Sequence, residues 1–360
     1  MGSVVGQISL FDGTQQFRID KPIRLIELFA GIGSQAKALK NIGADFEHYR
    51  ICEFDKYAVT SYNAINGTNF QPSNITTLKG EDLGIVDTDK YCYVLTYSFP
   101  CQDLSPAGNG KGMRKGSGTR SGLLWEVERL LTETKILPQV LVMENVPQVA
   151  SQKNIQDFAK WIAFLDGLGY KSKWAMLNAK DYGIPQNRER CFMVSILGDY
   201  YYEFPSKMPL KKRLKDMLNV GADLKRNGQG IIEPLEKYEL SDKMKAYINS
   251  YDDKYKVGDG NLVVNRDVAC SKTTREGSTR ADASDYISNE FGANENIAGK
   301  DVVPYRIRKL TPKECWRLMG FVGEDVDKAV AVGMSNAQLY KQAGNSIVVN
   351  VLEAIFGEML

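Results

Sequence analysis

Residues 91–108 read YCYVLTYSFPCQDLSPAG, and the rest of the chain is organised around them. Tyr91 to Tyr97 mixes aromatic, aliphatic and β-branched residues, the pattern of a short buried strand. It runs into Ser98-Phe99-Pro100-Cys101-Gln102 and then a glycine-rich basic segment, Gly108 to Arg120. A cysteine just past a strand end, ahead of such a loop, is placed to react with something the loop covers. Strand ends are where α/β proteins put their chemistry. Taken alone, Cys101 reads more readily as a small buried hydrophobe, the ordinary fate of a free cysteine. The other segments reverse that reading.

The chain has 360 residues, enough for two domains. No apolar run approaches the roughly 18 residues of a membrane span, and Met1 to Asp20 is too polar for a signal peptide. Cys52, Cys92, Cys101, Cys191, Cys270 and Cys315 are scattered without a CxxC pair, which fits a reducing cytoplasm and argues against both a disulfide framework and a zinc ribbon. His48 is the only histidine and reads as structural, so Ser-His-Asp, Cys-His and HExxH chemistry are set aside. A net charge of +2 does not announce nucleic acid. Charge is local instead. Lys111, Arg114, Lys115 and Arg120 follow Cys101, and Arg306, Arg308, Lys309, Lys313 and Arg317 cluster later. Both groups read as solvated faces or as phosphate contacts.

Residues 1–20 form an N-terminal arm. Ile23 to Phe29 is a strand, Ala30 to Ser34 a glycine turn, and Gln35 to Asn41 opens a helix. Further strands are expected at Tyr49–Phe54, Gln139–Met143, Trp174–Asn178 and Cys191–Leu197, with helices from Asp55 to about Ile65 and from Phe158 to Leu168. The alternation implies an α/β fold with a doubly wound, mainly parallel sheet. Patterning weakens from Asp199 to Val303, apart from a Lys-rich helix-like piece at Lys207–Leu218, and returns at Tyr305. The expected domains are 1–20, 21–198, a smaller one at 199–303, and 304–360 returning to the first. Gly31-Ile32-Gly33-Ser34-Gln35-Ala36 fits GxGxxG/A, with Glu53 about 20 residues on to hold ribose hydroxyls. Phe29 and Phe54 offer aromatic faces to an adenine. That fingerprint serves NAD(P) and S-adenosylmethionine (AdoMet) enzymes alike, and a plain structural turn is also open.

Taken in order, Phe29 to Gly33, Ser98 to Gln102, Glu144-Asn145-Val146, Gln186-Asn187-Arg188-Glu189-Arg190, Arg308 to Pro312 with Glu314, Arg317, Gly320 and Phe321, and Gln342-Ala343-Gly344-Asn345-Ser346 resemble the DNA cytosine-5 methyltransferases of bacteria and phages. The resemblance implies a Rossmann-like AdoMet-dependent catalytic domain and a target-recognition domain at 199–303. The enzyme would flip a cytosine from double-stranded DNA and methylate its C5, leaving S-adenosyl-L-homocysteine. Such activity serves restriction-modification, anti-restriction or orphan methylation. Phe29, Gly31, Ile32, Gly33, Glu53, Phe54, Asn74, Ile75, Asn345 and Ser346 would bind the cofactor, and a helix from Ile347 to Phe356 would pack near the first strand. Cys101, Glu144, Arg188 and Arg190 would be catalytic. Phe99, Pro100, Gln102, Ser105, Lys111, Arg114, Arg120, Thr273, Thr274 and Arg275 would meet DNA, and Gly108–Gly118 would form a mobile lid.

Two positions depart from the family pattern. Asn74 stands where an aspartate usually accepts from the adenine amino group. Cys270 to Arg275 stands where the recognition domain usually carries a Thr-Leu-like pair.

The chemistry explains the residue types. Cytosine C5 is a poor nucleophile until a thiolate adds reversibly to C6. Cations such as Arg188 and Arg190 favour the thiolate. Glu144 would supply the N3 proton and Arg190 would hold O2. The protein is expected to be a cytoplasmic monomer with no metal and no membrane. Gln7-Ile8-Ser9-Leu10-Phe11 resembles the peptide that docks replication and repair proteins on the sliding clamp. The rivals are a tRNA cytosine-5 methyltransferase of the same fold, whose eukaryote-like Cys-Phe-Thr signature is absent from 199–303, an NAD(P)-dependent oxidoreductase, and a catalytically dead DNA-binding protein.

Overall fold

A computed structural model of the chain describes residues 15–104, 112–218, 238–255, 264–273, 285–288 and 307–360. Among them the strands are β1 (Gln15–Gln16), β2 (Ile23–Leu28), β3 (Phe46–Cys52), β4 (Cys92–Tyr97), β5 (Val140–Asn145), β6 (Tyr170–Asn178), β7 (Gln186–Asn187), β8 (Glu189–Leu197), β9 (Tyr200–Tyr201), β10 (Ala269–Cys270), β11 (Tyr286–Ser288) and β12 (Ile307–Lys309). The helices are α1 (Ser34–Asn41), α2 (Lys56–Asn66), α3 (Leu124–Glu133), α4 (Ile155–Gly167), α5 (Asp242–Tyr255), α6 (Pro312–Arg317), α7 (Gly323–Ala331), α8 (Asn336–Asn345) and α9 (Val349–Gly357). None is long and apolar enough to cross a membrane.

The chain divides into two compact units. One takes residues up to Asn178, then Glu189–Lys207 and Val349–Leu360; the other takes Ala179–Arg188 and Met208–Val348. The segments differ from those expected. The second unit begins at Met208 rather than Asp199, reaches Val348, and includes the 179–188 turn.

The first unit is built on a six-stranded sheet in the order β3-β2-β4-β5-β8-β6. Strands β4 and β5 are buried along their whole length, as a sheet covered on both faces requires. Joints β2–β3, β2–β4 and β4–β5 are parallel, so the fold is the expected doubly wound α/β class. Joints β5–β8 and β6–β8 are antiparallel. The turn between β6 and β8 is shorter than the dozen or so residues a parallel crossover needs. Because β3 and β4 lie on opposite sides of β2, the topological switch falls between β2 and β4. Apolar residues at helical spacing on α4, Phe158, Trp161 and Leu165, are fully buried, and the Trp161 indole donates to Tyr97 Oη at 3.0 Å.

The C-terminal helix α9 packs on α1, where Asn41 Nδ2 donates to Glu353 Oε1 at 2.6 Å. Ile19 N donates to Met359 O at 2.6 Å, tying the chain's end to the segment leading into β2.

In the second unit β11 pairs with β12 and β10 with β7. A small core gathers Leu240, Ile248, Val264, Tyr286 and Ile307. Helix α6 is capped by Thr311 and Glu314, and Arg308 forks onto Glu314 with both bonds at 2.8 Å. Lys313 pairs with Asp327, and Arg317 donates to Leu218 O at 3.1 Å. The described members of this basic cluster therefore include several with internal partners. Lys207–Leu218 is not a helix but a single turn at Leu214–Met217.

One buried acid stands out in the first unit. Glu27 in β2 is fully buried, accepts from Tyr62 Oη at 2.5 Å and from Ala36 N at 3.4 Å, and the Tyr62 hydroxyl also meets His48 Nδ1 at 2.8 Å. Burial pushes the Glu27 carboxyl up to about 7, with the Tyr62 and Ala36 bonds opposing. Its proton is therefore held more tightly folded than unfolded. That contribution is complete below the ordinary carboxylate range and is lost as pH rises through about 7. Urea unfolding of the wild type is expected to lose stability between about pH 5 and pH 8, by at most about 3 kcal/mol from this site, and Glu27→Gln should flatten that slope. Identical slopes would contradict the assignment.

Candidate active site

The glycine turn follows β2 and is held by β3. Phe29 and Ala30 donate their N–H groups to Cys52 O at 2.7 and 3.2 Å. This fixes Phe29 at φ 60°, an uncommon conformation for a side-chain-bearing residue. A Cβ on Gly33 would lie 2.8 Å from the Tyr62 ring, so that glycine is required for packing against α2. A Cβ on Gly31 would meet nothing within 4 Å. The backbone there faces open space.

Glu53 follows β3 and braces the same turn. Its Oε2 accepts from Gly31 N at 2.9 Å and its Oε1 from Asp55 N at 2.8 Å. Burial raises its pKa, with the N–H donors of Asp55 and Gly31 pulling partway back. Each carboxylate oxygen keeps further acceptor capacity for a ligand hydroxyl. Phe54, next in sequence, is 76% exposed, an apolar ring left uncovered by the protein. Ser73 N donates to Glu53 O at 2.9 Å, which brings the Asn74 stretch alongside. Asn74 Oδ1 caps the following turn by accepting from Thr76 N at 3.1 Å. Ile32 and Ile75 are almost wholly buried, so their side chains offer little surface to a ligand.

The cysteine turn follows β4, the neighbouring strand. Cys101 is partly exposed, while Phe99 just before it is buried. Asn145, at the end of β5, donates from Nδ2 to Phe99 O at 2.9 Å and accepts from Val146 N at 2.8 Å. Glu144 projects beside it, only 9% exposed. Its partner is Arg190, whose Nε lies 3.2 Å from Glu144 Oε1. The sheet explains the pairing. Glu144 stands opposite Phe192, and Arg190 is two residues along β8 on the same face, a diagonal neighbour within reach of a long side chain. A carboxylate this buried is costly without such a cation.

The loop after Cys101 is described from Gly112. Met113 is fully buried and its carbonyl accepts from the Trp125 indole at 2.7 Å, while Arg114 and Arg120 are exposed. The segment expected as a mobile lid is thus anchored at Met113. Gln102 is exposed and its Oε1 accepts from Arg120 at 2.9 Å. Ser105, Lys111, Thr274, Arg275 and the Gln7–Phe11 peptide lie outside the described residues.

Arg188, Thr273, Asn345 and Ser346 belong to the second unit. Arg188 is buried and donates to the carbonyls of Lys272, Gly344 and Ser346 at 2.5, 3.1 and 2.8 Å. Its guanidinium clamps backbone, whereas Arg190 is paired with the Glu144 carboxyl group. Thr273 and Asn345 are exposed, and Ser346 is buried with its hydroxyl on Gln342 O at 2.7 Å. Sequence reasoning assigned no role to Glu27, Tyr62, Asp103 or Ser121, and none to the Asn145 amide. Each acts through bonds that only folding brings together, and only Glu27 and Asn145, polar residues near strand ends, carried a signal.

The model of the C-5 cytosine-specific DNA methylase family matches residues 23–360. The chain is similar to a type II methyltransferase of Lactococcus lactis subsp. cremoris, M2.ScrFI, at 31% identity over 397 residues, covering 94% of this chain and 99% of that protein. It is also similar to the orphan methyltransferase M.SssI of Spiroplasma monobiae, at 32% identity over 406 residues, covering 94% and 97%. Among solved structures, the Entamoeba histolytica methyltransferase EhMeth superposes with a TM-score of 0.72 at 17% identity, covering 94% of this chain and 98% of that one. The S. pombe Dnmt2 methyltransferase gives 0.69 at 20% identity, covering 94% and 98%. At these identities the structures speak to the fold alone. With the glycine turn, the cysteine turn and the Glu144–Arg190 pair on adjacent strand ends, and with the family match spanning nearly the whole chain, the protein belongs to the C-5 cytosine-specific DNA methylase family.

Proposed function

We propose that this protein methylates C5 of a cytosine swung out of double-stranded DNA, with Cys101 as the nucleophile. The observation that carries the reading is the Glu144–Arg190 pair at the end of β5, beside the strand whose turn presents Cys101. The methyl donor fitting the glycine turn is AdoMet, which supplies an electrophilic methyl group when bound. Gly31 leaves its backbone open to a ligand, Glu53 has acceptor capacity for ribose hydroxyls, and Phe54 offers its exposed ring to the adenine. Asn345 and Ser346 are carried as further cofactor contacts on the family resemblance.

The thiolate of Cys101 forms a bond to C6, and the electron pair of the C5–C6 double bond moves to C5. Glu144 in its protonated form would donate to N3 and pass its proton there as negative charge develops on the ring, becoming the carboxylate that Arg190 faces. Arg190 keeps the Glu144 carboxylate oriented and approaches O2. Once C5 carries the methyl group, its proton leaves to solvent and the S–C6 bond breaks, restoring the aromatic ring. Flipping is required because C6 is inaccessible within the stack. Arg114, Arg120 and the other loop cations would neutralise phosphates. The second unit would read the recognition sequence, with Thr273 to Arg275 facing bases.

Relatives of both kinds, type II and orphan, support either a restriction-modification partner or stand-alone methylation. A cytoplasmic monomer fits either role. The Gln7–Phe11 peptide would dock on a sliding clamp, and unchanged clamp affinity after Leu10→Ala with Phe11→Ala would dispose of that contact.

A duplex carrying 5-fluorocytosine at the target is expected to trap the protein covalently, because fluorine cannot leave as a cation. Cys101→Ala should give no adduct while still binding AdoMet. An adduct that persists in Cys101→Ala, or one formed on tRNA and not on duplex DNA, would overturn the reading. Replacing the acid should slow chemistry more than binding. Glu144→Gln is expected to lower the single-turnover methyl-transfer rate by about 100-fold or more, with cofactor affinity little changed. A wild-type rate would remove Glu144 from the mechanism.

A further inference from the structure

The turn carrying Cys101 is latched by residues on the far side of the loop that follows it. Ser121 is fully buried and Asp103 is 6% exposed. Ser121 Oγ donates to Pro100 O at 2.7 Å and accepts from Asp103 N at 3.3 Å. Asp103 Oδ2 accepts in return from Arg120 N at 2.8 Å and from Ser121 N at 3.3 Å. Pro100 O is the carbonyl of the peptide bond that joins Pro100 to Cys101. The Ser121 hydroxyl therefore fixes the peptide plane on the amino side of the nucleophile. On the other side Leu104 N donates to Cys101 O at 3.0 Å.

We propose that Ser121, held in place by Asp103, is a positioning residue for the Cys101 thiol. The proposal rests on Cys101 being the nucleophile. Two peptide planes flank the Cα of Cys101, and together they set the direction of its Cα–Cβ bond, leaving the single torsion χ1 to place Sγ. Addition to C6 requires sulfur to approach the ring face within a narrow range of distance and angle, so an error of about 1 Å is costly in rate. Neither side chain needs to touch the base. Their burial keeps water from competing for the Pro100 carbonyl, and the reciprocal bonds leave neither group without a partner.

The test is the single-turnover rate at which the full-length chain attaches to a 5-fluorocytosine duplex in the presence of AdoMet. Affinity for S-adenosyl-L-homocysteine and the melting temperature are measured alongside. Ser121→Ala is expected to slow attachment about tenfold or more while holding cofactor affinity within about twofold. Ser121→Thr keeps the donor and should recover most of the rate. Asp103→Asn, which still offers one acceptor oxygen, should slow attachment by a smaller factor. If Ser121→Ala does not fold, Asp103→Asn decides: slower attachment at unchanged cofactor affinity supports the latch, and a wild-type rate overturns it. The proposal is also overturned if Ser121→Ala attaches at the wild-type rate, or if its slowing is matched by an equal loss of cofactor affinity. Failure of the wild-type chain to attach would remove the nucleophile reading and the proposal with it.

Discussion

Leu28, Tyr97 and Met143 stand in one row across three hydrogen-bonded parallel strands. That shared register decides where the chemistry lies. The residues that follow are the glycine turn, the cysteine turn and Glu144, so all three emerge at one level beside the topological switch between β2 and β4. Burial enforces the row. Strands β4 and β5 are covered on both faces, and slipping either by one residue would exchange the side chains on its two faces.

Acids in the first unit do different work according to what surrounds them. Glu27 is sealed beneath α1 and meets a phenol and a backbone N–H, so it keeps its proton to about neutral pH. Glu53 is partly desolvated but bonded to two N–H groups, and it retains acceptor capacity where a ribose would lie. Glu144 faces the Arg190 guanidinium, Nε to Oε1 at 3.2 Å. Three acidic residues near the ends of β2, β3 and β5 thus sit in three different environments.

The sheet was legible in the sequence because its central strands are continuous apolar runs ending in glycine, proline or acidic punctuation. The antiparallel edge was harder to see. The expected strands at Trp174–Asn178 and Cys191–Leu197 begin earlier in the structure, at Tyr170 and Glu189, and run antiparallel across a short connection. The positions of Cys101, Glu144 and the glycine turn at strand ends were legible because each follows a recognisable apolar run. Ser121 and Asp103 were not, since their importance arises from bonds made across a folded loop. Arg188 shows the converse. Two residues from Arg190 and alike in type, it is committed to three backbone carbonyls, a distinction that only folding reveals. Lys207–Leu218 looks helical by composition, yet only one turn forms there, at Leu214–Met217.

The central claim is that sulfur adds to the ring before any methyl group moves. Addition at C6 makes C5 basic enough to take a proton from water, so C5 hydrogen should exchange even without a methyl donor. Release of tritium into water from duplex DNA labelled at cytosine C5, with no AdoMet present, measures that step alone. The wild-type chain is predicted to release tritium from its target cytosine and Cys101→Ala to release none. Equal release by both proteins, or none from a wild-type chain that methylates the same duplex when AdoMet is supplied, would contradict the account.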